Sequence, residues 1–271
     1  MPRRHQKRRK TRTRRDTAEE SDTEEMHSNC PSTLFSRGTD DSSNSSRPQS
    51  PQVNQISGRR FDPAELYPKH FTLDDIQVPW RDRVFLACPG SPRKCPDCNR
   101  HVSHTDCIVI AIDGACRNNG RYGARASVGV YHGYNNGWNE SNLLPPEENQ
   151  TNQVAELVAC ERALIDAQTI QNLWEEGAEN GEDRGGKLSM VVIKSDSEYV
   201  VRGMTEWLSK WKANGWINAK GLPVTNREYF RGIECLVESL EEKQVSVKFW
   251  HVPREFNQDA DQLAKSALFD D

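Results

Sequence analysis

The feature that most constrains this chain is the alternation, from residue 107 onward, of short apolar runs with longer helix-like segments. Residues 108–112 are a continuous apolar run and residues 188–193 are a mostly apolar one, which favours strands buried on both faces. Further strands are predicted at residues 124–131, 138–143 and 245–250, and helices at 151–171, from Ser197, at 226–243 and at 256–268. The order β-β-β-α-β-α-α-β-α predicts an α/β fold, a mixed sheet with helices packed on its faces.

The first 60 residues differ in composition: they are polar and contain very few large apolar side chains, so we expect them to be disordered. Residues 1–15 hold nine basic residues and no acid, whereas the other 256 carry 27 basic and 40 acidic residues, a net charge of −13. The basic run predicts a nuclear-import signal or a phosphate-binding arm, with a solubilising tail as the alternative after Asp16. Residues 2–15 lack large apolar side chains and cannot form an amphipathic targeting helix, so we expect nuclear rather than mitochondrial localisation.

The apolar runs and the cysteines suggest an intracellular protein. No apolar run approaches the roughly 20 residues of a membrane-spanning helix, so no membrane association is expected. The eight cysteines are typical of reduced thiols rather than of a secreted disulfide framework. One group has metal-ligand composition, and a structural Zn²⁺ or unliganded thiols are both compatible with its irregular spacing. Its members are Cys88, Cys95, Cys98, His101, His104 and Cys107.

Four carboxylates lie at the ends of predicted strands or in the first turns of predicted helices: Asp113, Glu156, Asp196 and Asp261. Each alone has a structural explanation as a turn residue, a helix cap or a solvated helix residue. Together they can converge at one edge of the sheet, outside the strand ends. Clustered carboxylates repel one another without a hard cation, and oxygen ligands suit Mg²⁺ or Mn²⁺. Two such ions roughly 4 Å apart can activate a water and stabilise the leaving oxygen of a phosphodiester.

Five segments in this part of the chain, taken in order, resemble type 1 ribonuclease H: IAIDGACRNNG at 110–120, TNQVAE at 151–156, KSDS at 194–197, WLSKWKANGW at 207–216 and DADQLA at 259–264. The resemblance spans residues 107–268. It implies a five-stranded ribonuclease H-like sheet flanked by helices and endonucleolytic cleavage of the RNA strand of RNA–DNA hybrids. It also implies that Asp113, Glu156, Asp196 and Asp261 are catalytic ligands of two Mg²⁺ ions, which Mn²⁺ can replace.

The resemblance also implies substrate contacts. Asn118, Asn119, Asn152 and Gln153 match positions near the RNA strand, where amides can test for the 2′-hydroxyl, although turns and caps favour asparagine anyway. Trp207 and Tyr199 match the groove for the DNA strand, while the spacing of Trp207 and Trp211 also fits a core helix face. Thr151 and Asn226 match a pocket for a DNA phosphate, and Asn149 replaces an arginine of some members.

The chain departs from the family pattern before the last helix. Many members carry a flexible loop with a histidine at this point. The corresponding segment of this chain, residues 252–257, is short and contains no histidine. His251 ends the preceding strand, and we expect it to be structural. The chain therefore resembles a short-loop, histidine-lacking variant, which we expect in a eukaryotic protein.

These observations predict three regions: a disordered basic and polar tail at 1–60, a Cys/His-containing extension at 61–106 and a catalytic domain at 107–271. The predicted function is hydrolysis of the RNA strand of hybrids. A hybrid-binding protein that retains the fold without cleaving is the alternative, and a zinc-organised interaction protein is a third possibility. The four carboxylates argue against the non-cleaving alternative. The sequence predicts no particular protein partner.

Overall fold

The computed structural model describes residues 58–179 and 187–269. The predicted tail up to residue 57 and residues 180–186 of a predicted acidic insertion (175–186) lie outside the described residues. The strands are β1 (Gln77–Trp80), β2 (Arg83–Ala87), β3 (Ser103–Arg117), β4 (Arg125–Tyr131), β5 (Glu140–Leu143), β6 (Met190–Ser195) and β7 (Ser246–His251). The α-helices are α1 (Pro63–Leu66), α2 (Leu73–Ile76), α3 (Asn152–Glu179), α4 (Glu198–Arg202), α5 (Leu208–Ala213), α6 (Arg227–Glu242) and α7 (Gln258–Ser266). A π-helix (Gly203–Trp207) joins α4 to α5, and a 3-10 turn (Arg254–Phe256) precedes α7.

The described strands form one mixed sheet of seven strands, centred on the long strand β3. The five predicted strands are adjacent in the order β5-β4-β3-β6-β7, with antiparallel β3–β4 and β4–β5 pairs and parallel β3–β6 and β6–β7 pairs. The hairpin β1–β2 adds two strands, because β2 pairs with the first half of β3 while β4 pairs with its second half. The predicted α/β fold with flanking helices is confirmed, and the sheet is two strands larger than predicted.

Other boundaries also differ from the prediction. β3 was expected to end near residue 112, with a loop over 114–120, but its pairing with β4 continues to Arg117 and places Asp113 inside a strand. Helix α3 was expected to end near residue 171 and extends to Glu179. Residues 58–60 were assigned to the tail, yet Arg60 bridges Phe249 of β7 in parallel and so lies at the sheet edge.

Each face of the sheet has its own hydrophobic core. On one face, α3, α4 and α6 cover β3, β4 and β6. On the other, residues contributed by the 61–106 segment pack against β3, β6 and β7, with Phe61 and Leu86 buried beside Trp250. The 61–106 segment therefore belongs to the same sheet as the remainder of the fold and covers a face that would otherwise be exposed. Across the described residues, every helix is too short or too polar to cross a membrane.

Candidate active site

The site is built on two glycines that allow helices to approach β3 and β4 closely. A Cβ on Gly114, the residue after Asp113, would lie 2.6 Å from the carbonyl carbon of Ala155 and closer still to the amide nitrogen of Glu156. The absence of that Cβ lets the first turn of α3 lie directly against β3. Glu156 is thereby brought beside Asp113.

The second glycine, Gly129, is the β4 partner of Asp113 in the antiparallel ladder. A Cβ on Gly129 would lie 2.6 Å from the amide nitrogen of Ala264 and closer still to the carbonyl oxygen of Ala260. Helix α7 therefore packs against the sheet at the level of Asp113. This contact places Asp261, one residue beyond Ala260, next to the other carboxylates.

Asp196 directly follows β6 and is held by Asn257, whose side chain is buried. The side-chain amide of Asn257 donates hydrogen bonds to the carbonyl oxygen of Ile112 at 2.9 Å and to Asp196 Oδ1 at 3.0 Å. The hydroxyl of Ser197 donates to Glu156 Oε2, and the side-chain amide of Asn152 donates to Glu156 Oε1 at 2.7 Å. Neighbouring polar groups thus fix two of the four carboxylates in position.

Two carboxyl groups of the cluster, Asp113 and Glu156, have raised pKa values. Burial, followed by repulsion from Asp196, Asp261 and Glu156, raises the pKa of Asp113 to about 7. Burial is also the largest influence on Glu156, and together with repulsion from Asp196 it raises the pKa of that carboxyl to about 7 despite opposing hydrogen bonds from Ser197 and Asn152. The mutual repulsion shows that the four carboxylates share one electrostatic environment.

Asp261 differs because two cations neutralise it. Arg254 forms an ion pair with Asp261 Oδ1, and Lys265 Nζ lies 2.6 Å from its Oδ2. Burial alone would raise the pKa of Asp261, but hydrogen bonds from Lys265 and Arg254 outweigh it and lower the pKa. Arg254 lies in the short segment, residues 252–257, between β7 and α7.

The donor set fits a hard divalent cation, since all four groups are carboxylates and a positive charge would relieve the repulsion at Asp113. Within the described residues, however, no three His, Cys, Asp or Glu side chains are already arranged around a common metal position. The hydrogen bonds explain why: Glu156 is turned toward Ser197 and Asn152, and Asp261 toward Arg254 and Lys265. Their role as metal ligands stays a prediction.

The residues predicted to contact RNA lie beside the cluster. Asn119 Oδ1 accepts a hydrogen bond from the backbone N–H of Asn152 at 3.4 Å, which links the β3–β4 turn to the start of α3. Asn118 adopts a left-handed conformation with φ of 56°. Thr151 caps α3 through its hydroxyl, 3.2 Å from the amide of Val154, and Gln153 is exposed in the first turn. The capping role accounts for Thr151 without a substrate, and its contact with a DNA phosphate stays a prediction.

The residues predicted to contact DNA form a second group, on α4 and the segments after it. The Asn226 amide donates to the hydroxyl of Tyr199 at 3.3 Å, and the ring of Tyr199 lies 6.2 Å from that of Trp207. Trp207 is half-buried at the end of the π-helix, and Arg202 lies 5.1 Å above its ring. Trp211 packs against the core beneath it.

The predicted zinc site is not formed among the described residues, where no three potential metal ligands converge. The ring of His101 stacks on Phe71 at 4.1 Å, and its Nδ1 lies 3.2 Å from Ser91 Oγ. Cys107 is buried in the second core with its sulfur 3.3 Å from Ser189 Oγ. Structural Zn²⁺ binding by this group stays a prediction, with unliganded thiols as the alternative.

Sequence reasoning missed Asn257 and Arg254 as members of the site. Asn257 occupies the position before α7, where asparagine is common as a helix cap. It makes no side-chain cap hydrogen bond and instead orients Asp196. Only the three-dimensional structure distinguishes these two uses of the same residue.

Comparisons with known proteins identify the part of the chain that carries this site. A sequence model of the RNase H family matches residues 105–269. Ribonuclease H1 of Homo sapiens is 34% identical over 164 residues, covering 59% of this chain and 49% of the human protein. Ribonuclease H of Wolbachia pipientis wMel is 29% identical over 163 residues, covering 60% of this chain and 96% of that protein. The chain thus spans about half the length of its mammalian relatives.

Solved structures give the same kind of match. The solution structure of the PFV RNase H domain aligns with a TM-score of 0.40 at 22% identity, covering 59% of this chain and 93% of that one. The crystal structure of LC11-RNase H1 in complex with RNA/DNA hybrid aligns with a TM-score of 0.37 at 25% identity, covering 59% and 96% of the respective chains.

Proposed function

Because this chain belongs to the RNase H family, we propose that it is an endoribonuclease that hydrolyses the RNA strand of RNA–DNA hybrids. The observation that carries the proposal is the convergence of Asp113, Glu156, Asp196 and Asp261: burial, followed by repulsion from the other three carboxylates, raises the pKa of Asp113. A purely structural role would give little reason to gather four acids at one edge of the sheet.

The family generally uses divalent metal ions, and we propose two Mg²⁺ ions here, with Mn²⁺ able to replace them. When bound, such ions supply an activated water and positive charge at the leaving oxygen. The chain's own contribution is to position the ligands. Asn257 orients Asp196, Ser197 and Asn152 orient Glu156, and Gly114 fixes the distance between β3 and α3.

Arg254 and Lys265 have a second role in the proposal. They neutralise Asp261 through ion pairs, and Arg254 is largely exposed. In this state they limit the repulsion that the cluster would otherwise impose on the fold. A cation held by the carboxylates would supply positive charge to Asp261 in addition to these two side chains.

The two strands of the hybrid are distinguished by two surfaces in this proposal. Asn118, Asn119, Asn152 and Gln153 contact the RNA strand, where amide groups can pair with the 2′-hydroxyl as donor or acceptor. Tyr199 and Trp207 contact the DNA strand, and Thr151 and Asn226 bind one of its phosphates. The link between Asn119 and Asn152 supports a continuous RNA-side surface that ends at Glu156.

The test is cleavage of a hybrid labelled on its RNA strand, with and without Mg²⁺, alongside single-stranded RNA and duplex RNA and DNA. We expect Mg²⁺-dependent cleavage of the hybrid alone, and its loss in Asp113→Asn. Binding of the hybrid without cleavage by the wild-type chain would favour the non-cleaving alternative. We further propose nuclear localisation from the basic run at residues 1–15, which a fluorescent fusion with and without that run would test.

A further inference from the structure

One lysine of the sheet occupies a position where its neighbours are apolar. Lys194 lies near the end of β6, and its side chain is on the same face as those of Met190 and Val192, which belong to the second hydrophobic core. Lys194 is itself buried, with 5% of its surface exposed. Burial of an ammonium group is costly unless its hydrogen bonds are satisfied, so the contacts of this side chain indicate what it does.

The Lys194 ammonium joins two segments that are distant in the sequence. Its Nζ donates a hydrogen bond to Oε1 of Gln77 at 2.6 Å and another to the carbonyl oxygen of Phe256 at 2.9 Å. Gln77 begins β1 in the 61–106 segment, and Phe256 ends the 3-10 turn between β7 and α7. Both acceptors are uncharged, so these two contacts connect segments and do not neutralise an acid.

The residue after Phe256 is the one that orients Asp196. Asn257 is buried, and its side-chain amide donates to Asp196 Oδ1. The carbonyl group of Phe256 and the backbone nitrogen of Asn257 belong to one planar peptide unit, so a hydrogen bond to this carbonyl restricts the peptide that leads into Asn257. Lys194 lies two residues before Asp196 in the sequence. Lys194 is therefore linked to Asp196 through the backbone and to Asn257 through the Phe256 carbonyl.

The turn that carries Phe256 has little internal structure to hold it in place. It is a single 3-10 turn of three residues, closed by hydrogen bonds from the Phe256 N–H to Pro253 O at 2.9 Å and from the Asn257 N–H to Arg254 O at 3.0 Å. Such turns have poorer hydrogen-bond geometry than an α-helix. The half-buried ring of Phe256 packs against the second core, so the ring and the carbonyl of one residue both attach the turn to that face of the sheet.

We propose that Gln77 and Lys194 form a clamp on the Phe256 carbonyl that positions Asn257 and, through it, Asp196. By this clamp the 61–106 segment supports the geometry of the candidate site. Gln77 and Lys194 are positioning residues, and the inference rests on the site of the proposed function. Removal of a group that orients a metal ligand typically costs 10- to 100-fold in activity, and the clamp acts one contact further out, so we expect a loss of about tenfold.

The first measurement is hydrogen–deuterium exchange of the full-length chain, which requires no cleavage. Backbone amides within 253–261 should exchange faster in Lys194→Met than in the wild type, because the turn loses its external contact. Lys248→Met is the matched control: Lys248 is also buried, lies beside Val192 on the neighbouring strand and donates to the carbonyl oxygen of Gly58. Its exchange within 253–261 should equal that of the wild type. Unchanged exchange in Lys194→Met, or equal acceleration in both lysine variants, would overturn the clamp.

Variants of Gln77 repeat the test with Lys194 in place. Gln77→Leu removes the acceptor and should accelerate exchange within 253–261 and lower kcat, both by less than Lys194→Met does. Gln77→Glu keeps an acceptor for the ammonium and should retain wild-type exchange and kcat. Equal behaviour of these two variants would show that the 61–106 segment does not act through this contact.

The second measurement is kcat for hybrid cleavage in Mg²⁺, beside the Kd for the hybrid in EDTA. Lys194→Met should lower kcat about tenfold with little change in Kd. Because the clamp acts through Asn257, the double variant Lys194→Met/Asn257→Ala should be no slower than Asn257→Ala alone, whereas multiplied losses would contradict this route. A wild-type chain that cleaves no hybrid would refute the proposed function, and the exchange measurement would still decide the clamp.

Discussion

Substitution of Gly114 by alanine tests whether the spacing of β3 and α3 sets the catalytic geometry. The new methyl group would lie 2.6 Å from the carbonyl carbon of Ala155 and 2.8 Å from its Cβ. Ordinary contact begins at 3.4 Å, so α3 must retreat from β3 by at least about 0.8 Å. The amide nitrogen of Glu156 lies closer still, and all three neighbours are backbone atoms or the first side-chain atom of a helix, so no flexible side chain can absorb the shift.

The expected effects follow from that displacement. Overpacking of this kind costs about 1–3 kcal/mol of the free energy of unfolding. For a domain of this size, that loss lowers the melting temperature by roughly 2–12 °C. Glu156 moves with the helix, and a misplacement near 1 Å at a catalytic group costs on the order of 100-fold in rate. We therefore expect kcat to fall much further than the loss of folded protein explains.

The assay combines thermal unfolding with hybrid cleavage at saturating substrate, at a temperature where the variant remains folded. Gly137→Ala is the matched control, because a Cβ there meets no atom within 4 Å and the residue has no positive φ. It should leave kcat unchanged and leave stability equal or slightly increased. A Gly114→Ala variant with wild-type kcat and melting temperature would refute the proposed role of close helix approach.

Three further predictions concern the site and its surroundings. Asp113→Asn and Asp196→Asn should each abolish cleavage, because an amide replaces a charged metal ligand at nearly constant volume. Hybrid binding, measured by anisotropy, should stay within a few-fold of wild type. Substantial cleavage activity in both variants would refute the proposed site. Deletion of residues 1–57 should leave the chain folded and active but lower its nucleic-acid affinity at low salt, with the difference fading as salt rises; unfolding of the truncated chain would show that the deleted residues support the fold. Trp207→Ala should weaken hybrid binding about five- to a hundredfold with little change in melting temperature; a large fall in melting temperature at unchanged affinity would make Trp207 structural.

The sequence predicted the five central strands because their composition and their environment agree. Residues 108–112 and 190–193 are buried on both faces of the sheet, and continuous apolar runs are the expected pattern for such strands. The end of β3 was missed because Gly114 and the polar residues after it have the composition of a turn. They are a strand here because the ladder with β4 continues to Arg117 and Gly114 lies under the first turn of α3.

The hairpin β1–β2 was not predicted, and its residues explain the failure. β1 has four residues, one of them Pro79, which is disfavoured within a sheet. Short strands with mixed composition carry no clear period of two residues, so their pairing depends on tertiary contacts. Those contacts come from the exposed face of β3 and β6, which Val84 and Leu86 help to cover. The segment forms strands because a hydrophobic face of the larger domain needs to be buried.

In the candidate site too, some features follow from residue type and others depend on packing. The four carboxylates could be selected from the sequence because their chemistry, spacing and place at element boundaries point to one use. The groups that position the carboxylates could not be selected from the sequence, since Asn257 and Ser197 are equally suited to helix caps. Ser197 does cap α4 through its hydroxyl. Ser197 contacts Glu156 as well, so one side chain both starts a helix and orients a carboxylate of the candidate site. Replacement of Ser197 should therefore have two separate effects. Loss of the cap lowers the melting temperature, and loss of the contact with Glu156 lowers kcat.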